Sequence, residues 1–321
     1  MEYLLLIVGF ALLTFSADWL INGASGLAKR LNISDLVIGL TIVAFGTSAP
    51  ELVVNIVAAT EGSSDIALTN ILGSNIINTL IILGISATIY PVVCKKSTYR
   101  IEIPLSALAG LAVLLLGTNF FGLLHLGESN NGVSRFDGVM LIIVFIIFCT
   151  YTIYQGLHNR DESSNESFEA MPIWKSLILI VVGLAGLVYG GELIVSNAVT
   201  IAQSWGVPES VIGVTIVALG TSLPELATSA MAAYKKNTDL AIGNVIGSNI
   251  FNVFFVLGLS SIINPLTSYP NLQVDAAMAA GSSLLLLLFI IISKKRSINR
   301  IEGLTMLVIY GIYLAWLLTT L

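Results

Sequence analysis

The sequence predicts an all-α membrane protein: ten transmembrane helices in two inverted five-helix repeats, with both termini outside. Three observations lead there. Hydrophobic residues make up 56% of the 321-residue chain and charged residues only 10%, with a mean hydropathy of +0.92. The apolar residues fall into runs of spanning length. One long stretch of sequence also occurs twice.

A soluble domain carries about 25% charged residues, so this chain lacks the side chains for a solvated surface and the bilayer must serve as its solvent. A spanning helix needs about 20 mostly apolar residues, and a helix satisfies its own backbone polar groups in lipid. Spans are expected at about 3–28, 36–60, 65–90, 101–121, 136–157, 173–203, 210–233, 240–264, 272–292 and 302–320. The separators carry charges and breakers, as in Cys94-Lys95-Lys96, Gly127 to Gly132 and Lys294-Lys295-Arg296. Met1-Glu2-Tyr3 lacks the basic start of a secretory signal, so the first span is expected to be retained.

The net charge of -5 says little because the signs are segregated. With ten spans, 13 of the 14 basic residues fall on one side, among them Lys29, Lys95, Lys96, Arg100, Lys235 and Arg296; Arg135 alone falls on the other. Cytoplasmic loops are rich in Lys and Arg, which orients the chain in a cell membrane with its basic loops cytoplasmic. Adding or removing a span would scramble this partition. The chain then divides into an N-terminal repeat (1–157), a short cytoplasmic linker (158–172) and a C-terminal repeat (173–321). Cys94 and Cys149 are read as structural thiols, and His125 and His158 as solvated loop residues.

The segment Val37 to Pro91 aligns without a gap on Val211 to Pro265, a constant offset of 174 residues, with about half of the positions identical. Upstream, Gly9 matches Gly183 and Asp18 matches Glu192. Five spans per repeat is an odd number, so the second repeat enters the membrane from the opposite side. Inverted repeats mark secondary transporters, whose sites lie near the midplane at the repeat interface.

Within the matched spans stand polar residues that lipid does not tolerate: Thr47, Ser48, Glu51, Ser74, Asn75 and Asn78, and their counterparts Thr221, Ser222, Glu225, Ser248, Asn249 and Asn252. An ionisable residue at membrane depth is a functional hypothesis by default. Thr47 and Glu51 are four apart and share a helix face, as do Ser74 and Asn78, and likewise their counterparts. Pro50 and Pro224 lack an N–H, which frees the carbonyls of Gly46 and Gly220 and loosens those of Thr47 and Thr221. The donors gathered are carboxylates, carbonyls, amides and hydroxyls, with no His or Cys. Such hard oxygen ligands suit calcium or sodium rather than zinc or copper. Gly73, Gly84, Gly247 and Gly258 are read as packing positions; for Asp18 and Glu192 two readings stand, lining the ion path or hydrogen-bonding a neighbouring helix, with the second favoured.

Gly46-Thr47-Ser48-Ala49-Pro50-Glu51 and Gly220-Thr221-Ser222-Leu223-Pro224-Glu225, with Gly73-Ser74-Asn75-Ile76-Ile77-Asn78 and Gly247-Ser248-Asn249-Ile250-Phe251-Asn252, resemble the paired signatures of the sodium/calcium exchanger family, in its compact prokaryotic form. The resemblance covers nearly the whole chain. It implies exchange of about three sodium ions for one calcium by alternating access, with helices one and six sliding. It assigns Glu51 and Glu225, with the Thr47 and Thr221 carbonyls, to calcium. It assigns Ser74 with the Ala44 carbonyl, and Ser248 with the Ala218 carbonyl, to outer sodium sites, with Asn78 and Asn252 flanking the middle. Ser48 and Ser222 belong to the same candidate set. Several relatives carry Asp where this chain has Asn252, which makes potassium cotransport an unfavoured reading here.

The ions are substrates; no cofactor and no nucleic-acid partner is expected, and the bilayer is the surrounding medium. Three other readings compete. A proton/calcium antiporter, a relative of similar fold, places its key glutamates in a Gly-Asn-x-x-Glu pattern that this sequence lacks, although Glu51 and Glu225 could still carry protons. An intramembrane serine hydrolase would use Gly23-Ala24-Ser25-Gly26, but no base stands near Ser25 in the sequence. A passive channel would need no inverted duplication.

Overall fold

A computed structural model describes residues 1–117, 132–158, 171–212, 215–216 and 218–319. The helices are α1 (Glu2–Leu31), α2a (Asp35–Thr47), α2b (Ala49–Thr60), α3 (Ser64–Ile89), α4 (Thr98–Gly117), α5 (Arg135–His158) and α6 (Ile173–Ser204). They continue with the pieces Glu209–Ile212 and Ala218–Gly220, here α7a, then α7b (Leu223–Tyr234), α8 (Thr238–Ile263), α9 (Leu272–Ile292) and α10 (Arg300–Thr319). Among the described residues eight helices are long and apolar enough to span a membrane, or nine when α2a and α2b count as one bent span. The chain is therefore an all-helical, multi-pass membrane protein. The expected span at 210–233 is described only in pieces. Residues 118–121 of the fourth expected span, 159–170 of the linker, and His125 lie outside the described residues. His158, expected in a loop, is the last residue of α5.

α3 and α8 form the centre. Ile71, Leu72, Ile76, Val245, Ile246 and Ile250 have essentially no exposed surface, and the repeat signatures Gly73 to Asn78 and Gly247 to Asn252 lie in these two helices. Apolar side chains on every face of a helix mark it as buried, and in these two the polar signature residues are buried with them. The outer helices α1, α5, α6 and α10 instead expose large apolar side chains such as Phe15, Ile147, Val181 and Val308, as lipid-facing surfaces should.

α1 and α6, equivalent in the repeat, run antiparallel along their length. Gly9 lies against Ile194 and Gly190, and Gly23 against Ser176 and Ile180. A side chain at Gly183 would place its Cβ 2.8 Å from the Leu20 amide nitrogen and 2.9 Å from the Ser16 carbonyl. Glycine is required at this seam because backbone meets backbone. Elsewhere Gly84 meets Gly303 between α3 and α10, and Gly258 meets Gly138 between α8 and α5. Two of the packing glycines read from the sequence thus have backbone neighbours. Gly247 likewise abuts Leu40 and Ala44, whereas Gly73 has open space around it.

Four two-residue strands, not anticipated from the sequence, tie the connections together. β1 (Val92–Val93) pairs antiparallel with β4 (Ser297–Ile298), and β2 (Gly132–Val133) with β3 (Leu266–Thr267). The first pair joins the α3–α4 and α9–α10 connections, both basic; the second joins the α4–α5 and α8–α9 connections. Cys94 is buried beside the first tie, where its amide donates to the Arg296 carbonyl at 2.9 Å. Burial, and then the nearby Asp239 carboxylate, push its thiol far above the ordinary range.

Two outcomes follow. Gly183→Val should cost about 1–3 kcal/mol through overpacking, read as a lower melting temperature in detergent, while Gly281→Ala, with no atoms near the added Cβ, should not lower it. Because only the thiolate reacts and the raised thiol keeps that form scarce, a maleimide at pH 8 should modify Cys94 in a Cys149→Ser background at least tenfold more slowly in folded protein than after unfolding in dodecyl sulfate.

Candidate functional site

The bend in the second span is set by local chemistry. Pro50 stands in the first turn of α2b, where a missing N–H costs nothing, and it cannot bond back to Gly46. α2a and α2b therefore meet at Ser48 with an angle of 47°. Ser48 has φ -84° and ψ 11°. Ser222, at the equivalent place before Pro224, has φ -88° and ψ 6°. Each break points its serine and the glutamate three residues on toward the centre.

The two glutamates are buried, with Glu51 1% and Glu225 0% exposed, and their partners are related by the repeat. Glu51 Oε1 accepts from Ser74 Oγ of its own repeat and from Ser222 Oγ of the other, each at 3.3 Å. Glu225 Oε1 accepts from Ser248 Oγ of its own repeat at 3.4 Å and from Ser48 Oγ of the other at 2.7 Å. Ser222 Oγ also bonds Ser74 Oγ at 3.3 Å. So six of the residues expected from the sequence meet in one buried cluster, and each carboxylate is held by a serine from either half.

The amides form a second layer across α3 and α8. Asn75 Nδ2 donates to the Asn249 carbonyl at 3.2 Å, and Asn252 Nδ2 donates to Asn75 Oδ1 at 3.2 Å. Asn78 Nδ2 donates to Asn249 Oδ1 at 3.1 Å, and Asn249 Nδ2 donates to Thr79 Oγ1 at 2.9 Å. Asn75 and Asn249 fix the orientation of Asn252 and Asn78 respectively. Asn78 and Asn252 also lie in π-helical turns, Asn78–Ile82 and Phe251–Leu257. Such turns re-aim a side chain and recur at functional sites; residue spacing alone gave no sign of them.

What this network leaves open defines its chemistry. Glu51 Oε2, Glu225 Oε2, Asn78 Oδ1 and Asn252 Oδ1 are all buried and, among the described residues, accept no hydrogen bond. They form two repeat-related pairs of bare acceptor oxygens. A buried polar atom normally finds a partner, and bare oxygens without N–H or O–H donors are what a desolvated metal cation requires.

The remaining expected residues are placed unequally. The Ala44 carbonyl accepts from the Ser48 amide at 3.1 Å and from Thr47 Oγ1 at 3.4 Å. Thr47 Oγ1 also bonds Asn244 Oδ1 at 3.1 Å. Ala218 opens the short turn Ala218–Gly220. Asn244 was not foreseen. Its amide donates to Ser229 Oγ at 2.9 Å and to the Glu225 carbonyl at 3.5 Å, so it braces α7b. At the repeat position, Asn70 donates to Asn55 Oδ1 at 2.6 Å. The signal was available: Asn70 and Asn244 are identical residues at the repeat offset, each inside an apolar run.

Asp18 and Glu192 stand outside the cluster. Asp18 pairs with Lys235 Nζ at 2.6 Å and accepts from Asn22 at 2.9 Å, and Glu192 is exposed. Ser25 is buried and accepts from the Asn237 amide at 2.9 Å, and that amide also donates to Asp35 Oδ2 at 2.9 Å, so Ser25 belongs to a polar tie between α1, α2a and the start of α8.

A central cluster of acidic and amide oxygens, held between two halves of a helical membrane protein, places the chain in the class of membrane ion transporters. Comparison with known proteins gives the family. The sodium/calcium exchanger protein family model matches residues 1–154 and 175–319, and the chain belongs to this family. It is 40% identical over 318 residues to a putative antiporter, CaxA, of Alkalimonas amylolytica, covering 95% of this chain and 94% of that one. It is 33% identical over 302 residues to the sodium/calcium exchanger MaX1 of Methanosarcina acetivorans, covering 83% and 84%. Among solved structures it is similar to the sodium-calcium exchanger NCX_Mj soaked with sodium and strontium, with TM-score 0.82, 34% identity, and 98% of this chain and 97% of that one covered. As a family member the chain is a cation/calcium antiporter.

The amide layer yields its own expected outcome. Asn249→Leu removes the acceptor of Asn78 and the donor to Thr79, leaving buried groups unpaired at about 1–3 kcal/mol each. Its melting temperature in detergent should fall clearly further than that of Ser196→Ala, whose hydroxyl bonds only its own helix.

Proposed function

We propose that the protein exchanges sodium for calcium across the cell membrane by alternating access, about three sodium ions for each calcium, with Glu51 and Glu225 as the principal ligands. The four bare oxygens carry this reading. Calcium takes six to eight oxygen ligands, and two carboxylates balance its charge. Ser74 and Ser248, with the Ala44 and Ala218 carbonyls, would serve the outer sodium ions. Asn78 and Asn252 would flank the centre, the Thr47 and Thr221 carbonyls would complete the calcium site, and Ser48 and Ser222 would hold the carboxylates in place.

The architecture we infer is ten spans in two inverted repeats, divided at 1–157 and 173–321, with the basic loops cytoplasmic and both termini outside. The antiparallel course of α1 and α6 supports the inversion. So do the two strand ties, each joining connections that ten spans would put on the same face. An inverted pair of repeats gives the site two equivalent approaches, one from each side, as alternating access requires.

Three sodium ions for one calcium moves one net charge per cycle, worth about 2.3 kcal/mol per 100 mV. Radioactive calcium uptake into proteoliposomes tests this. Uptake should require internal sodium and should rise when the interior is made positive, so that sodium leaves down the potential. Uptake driven by an acidic interior without sodium would make the protein a proton antiporter, and uptake without any gradient would make it a channel. Glu51→Gln and Glu225→Gln should each lower sodium-driven uptake at least a hundredfold while the protein stays folded in the membrane. Wild-type uptake in either variant would overturn the ligand assignment.

A further inference from the structure

A second polar site lies away from the central cluster. A cavity of about 620 Å³ opens between α2a, α4 and α5, on the face that carries the basic connections. Deep in it sits Glu102, 3% exposed, whose Oε2 has no hydrogen-bond partner among the described residues. Thr152, 2% exposed, also lines the cavity, and its hydroxyl has no partner among them either. Lys96 and Arg100 line the cavity and are exposed. Leu36, Val37, Leu40 and Ile101 form the apolar part of the wall.

The fold itself does not demand this chemistry. Glu102 corresponds to Ala276 at the repeat offset, and a second cleft of about 460 Å³ lies along α9 beside Tyr313. No charged residue lines that second cleft. The buried acid near it, Asp275, is capped by the phenols of Tyr269 and Tyr313. Glu102 keeps an open oxygen in the place where the other half has none.

We propose that this cavity binds the headgroup of a phospholipid bearing a primary ammonium, its amine on Glu102 Oε2 and Thr152 Oγ1 and its phosphate at Lys96 and Arg100. The order of charges selects this ligand. A buried carboxylate repels a purely anionic headgroup at depth. A quaternary ammonium has no N–H to give, whereas a primary ammonium offers three donors. Basic positions between helices at this membrane depth hold lipid phosphates, and Leu40 and Ile101 suit the start of an acyl chain.

Native mass spectrometry of the full-length protein in detergent tests the proposal, with palmitoyl-oleoyl phosphatidylethanolamine, phosphatidylcholine and phosphatidylglycerol added in equal amounts. The ethanolamine lipid should be retained at least threefold over either of the others, and Glu102→Gln should erase that preference. The Lys96→Ala/Arg100→Ala double variant changes only exposed side chains, and should lower ethanolamine-lipid retention at least threefold whether or not the Glu102 variant folds. Equal retention of the three lipids, retention led by phosphatidylglycerol, or unchanged retention of the ethanolamine lipid in the double variant would overturn the assignment. Displacement of the lipid by equimolar glycerophosphoethanolamine would show a site for a soluble amine phosphate and would overturn the lipid claim.

Discussion

Two carboxylates buried at the centre of a low-dielectric molecule impose a constraint that shapes everything around them. Removing an ionised group from water is costly unless it is paired and hydrogen-bonded. Here the pairing within the protein is deliberately incomplete. Serines supply donors to one oxygen of each carboxylate and leave the other bare. Among the described residues no Lys or Arg pairs with either carboxylate, as a structural ion pair would require. The helix breaks at Ser48 and Ser222 deliver the serines, the α3 and α8 signatures supply the amides, and the apolar shells of those helices exclude water.

Because each carboxylate takes a serine from either repeat, the cluster exists only when the two halves are together. The amide layer has the same property, since Asn75 and Asn249 each contact the opposite repeat. The interface between the halves is therefore polar at its core and apolar around it. A purely apolar interface would tolerate slippage; matched hydrogen bonds between identical residues of the two repeats fix one register.

Much of this was legible in the sequence, because lipid makes the code simple. Length, hydropathy and lysine placement mark helices when every spanning backbone must satisfy itself. The α9 span, expected at 272–292, is observed at those bounds. Glu51, Ser74, Asn78 and their counterparts were conspicuous because polar residues in apolar runs have few structural uses. What escaped the reading depends on contacts rather than on composition. The π-helical turns at Asn78 and Asn252 leave no mark in residue type. The ties at Val92–Val93 and Gly132–Val133 are two residues long, too short for a period of two to register. Asn244 was marked as a polar residue by its match to Asn70, but its role was not legible because it depends on Ser229 and the Glu225 carbonyl, which are brought to it by the turn between α7b and α8.

The antiparallel pairing of α1 and α6 has an electrical consequence. Each helix carries the equivalent of about half a positive charge at its N-terminus and half a negative charge at its C-terminus. Side by side and opposed, the two dipoles cancel. Displacing the pair together along the membrane normal moves almost no backbone charge through the transmembrane field. This lipid-facing pair of helices is in this sense electrically silent.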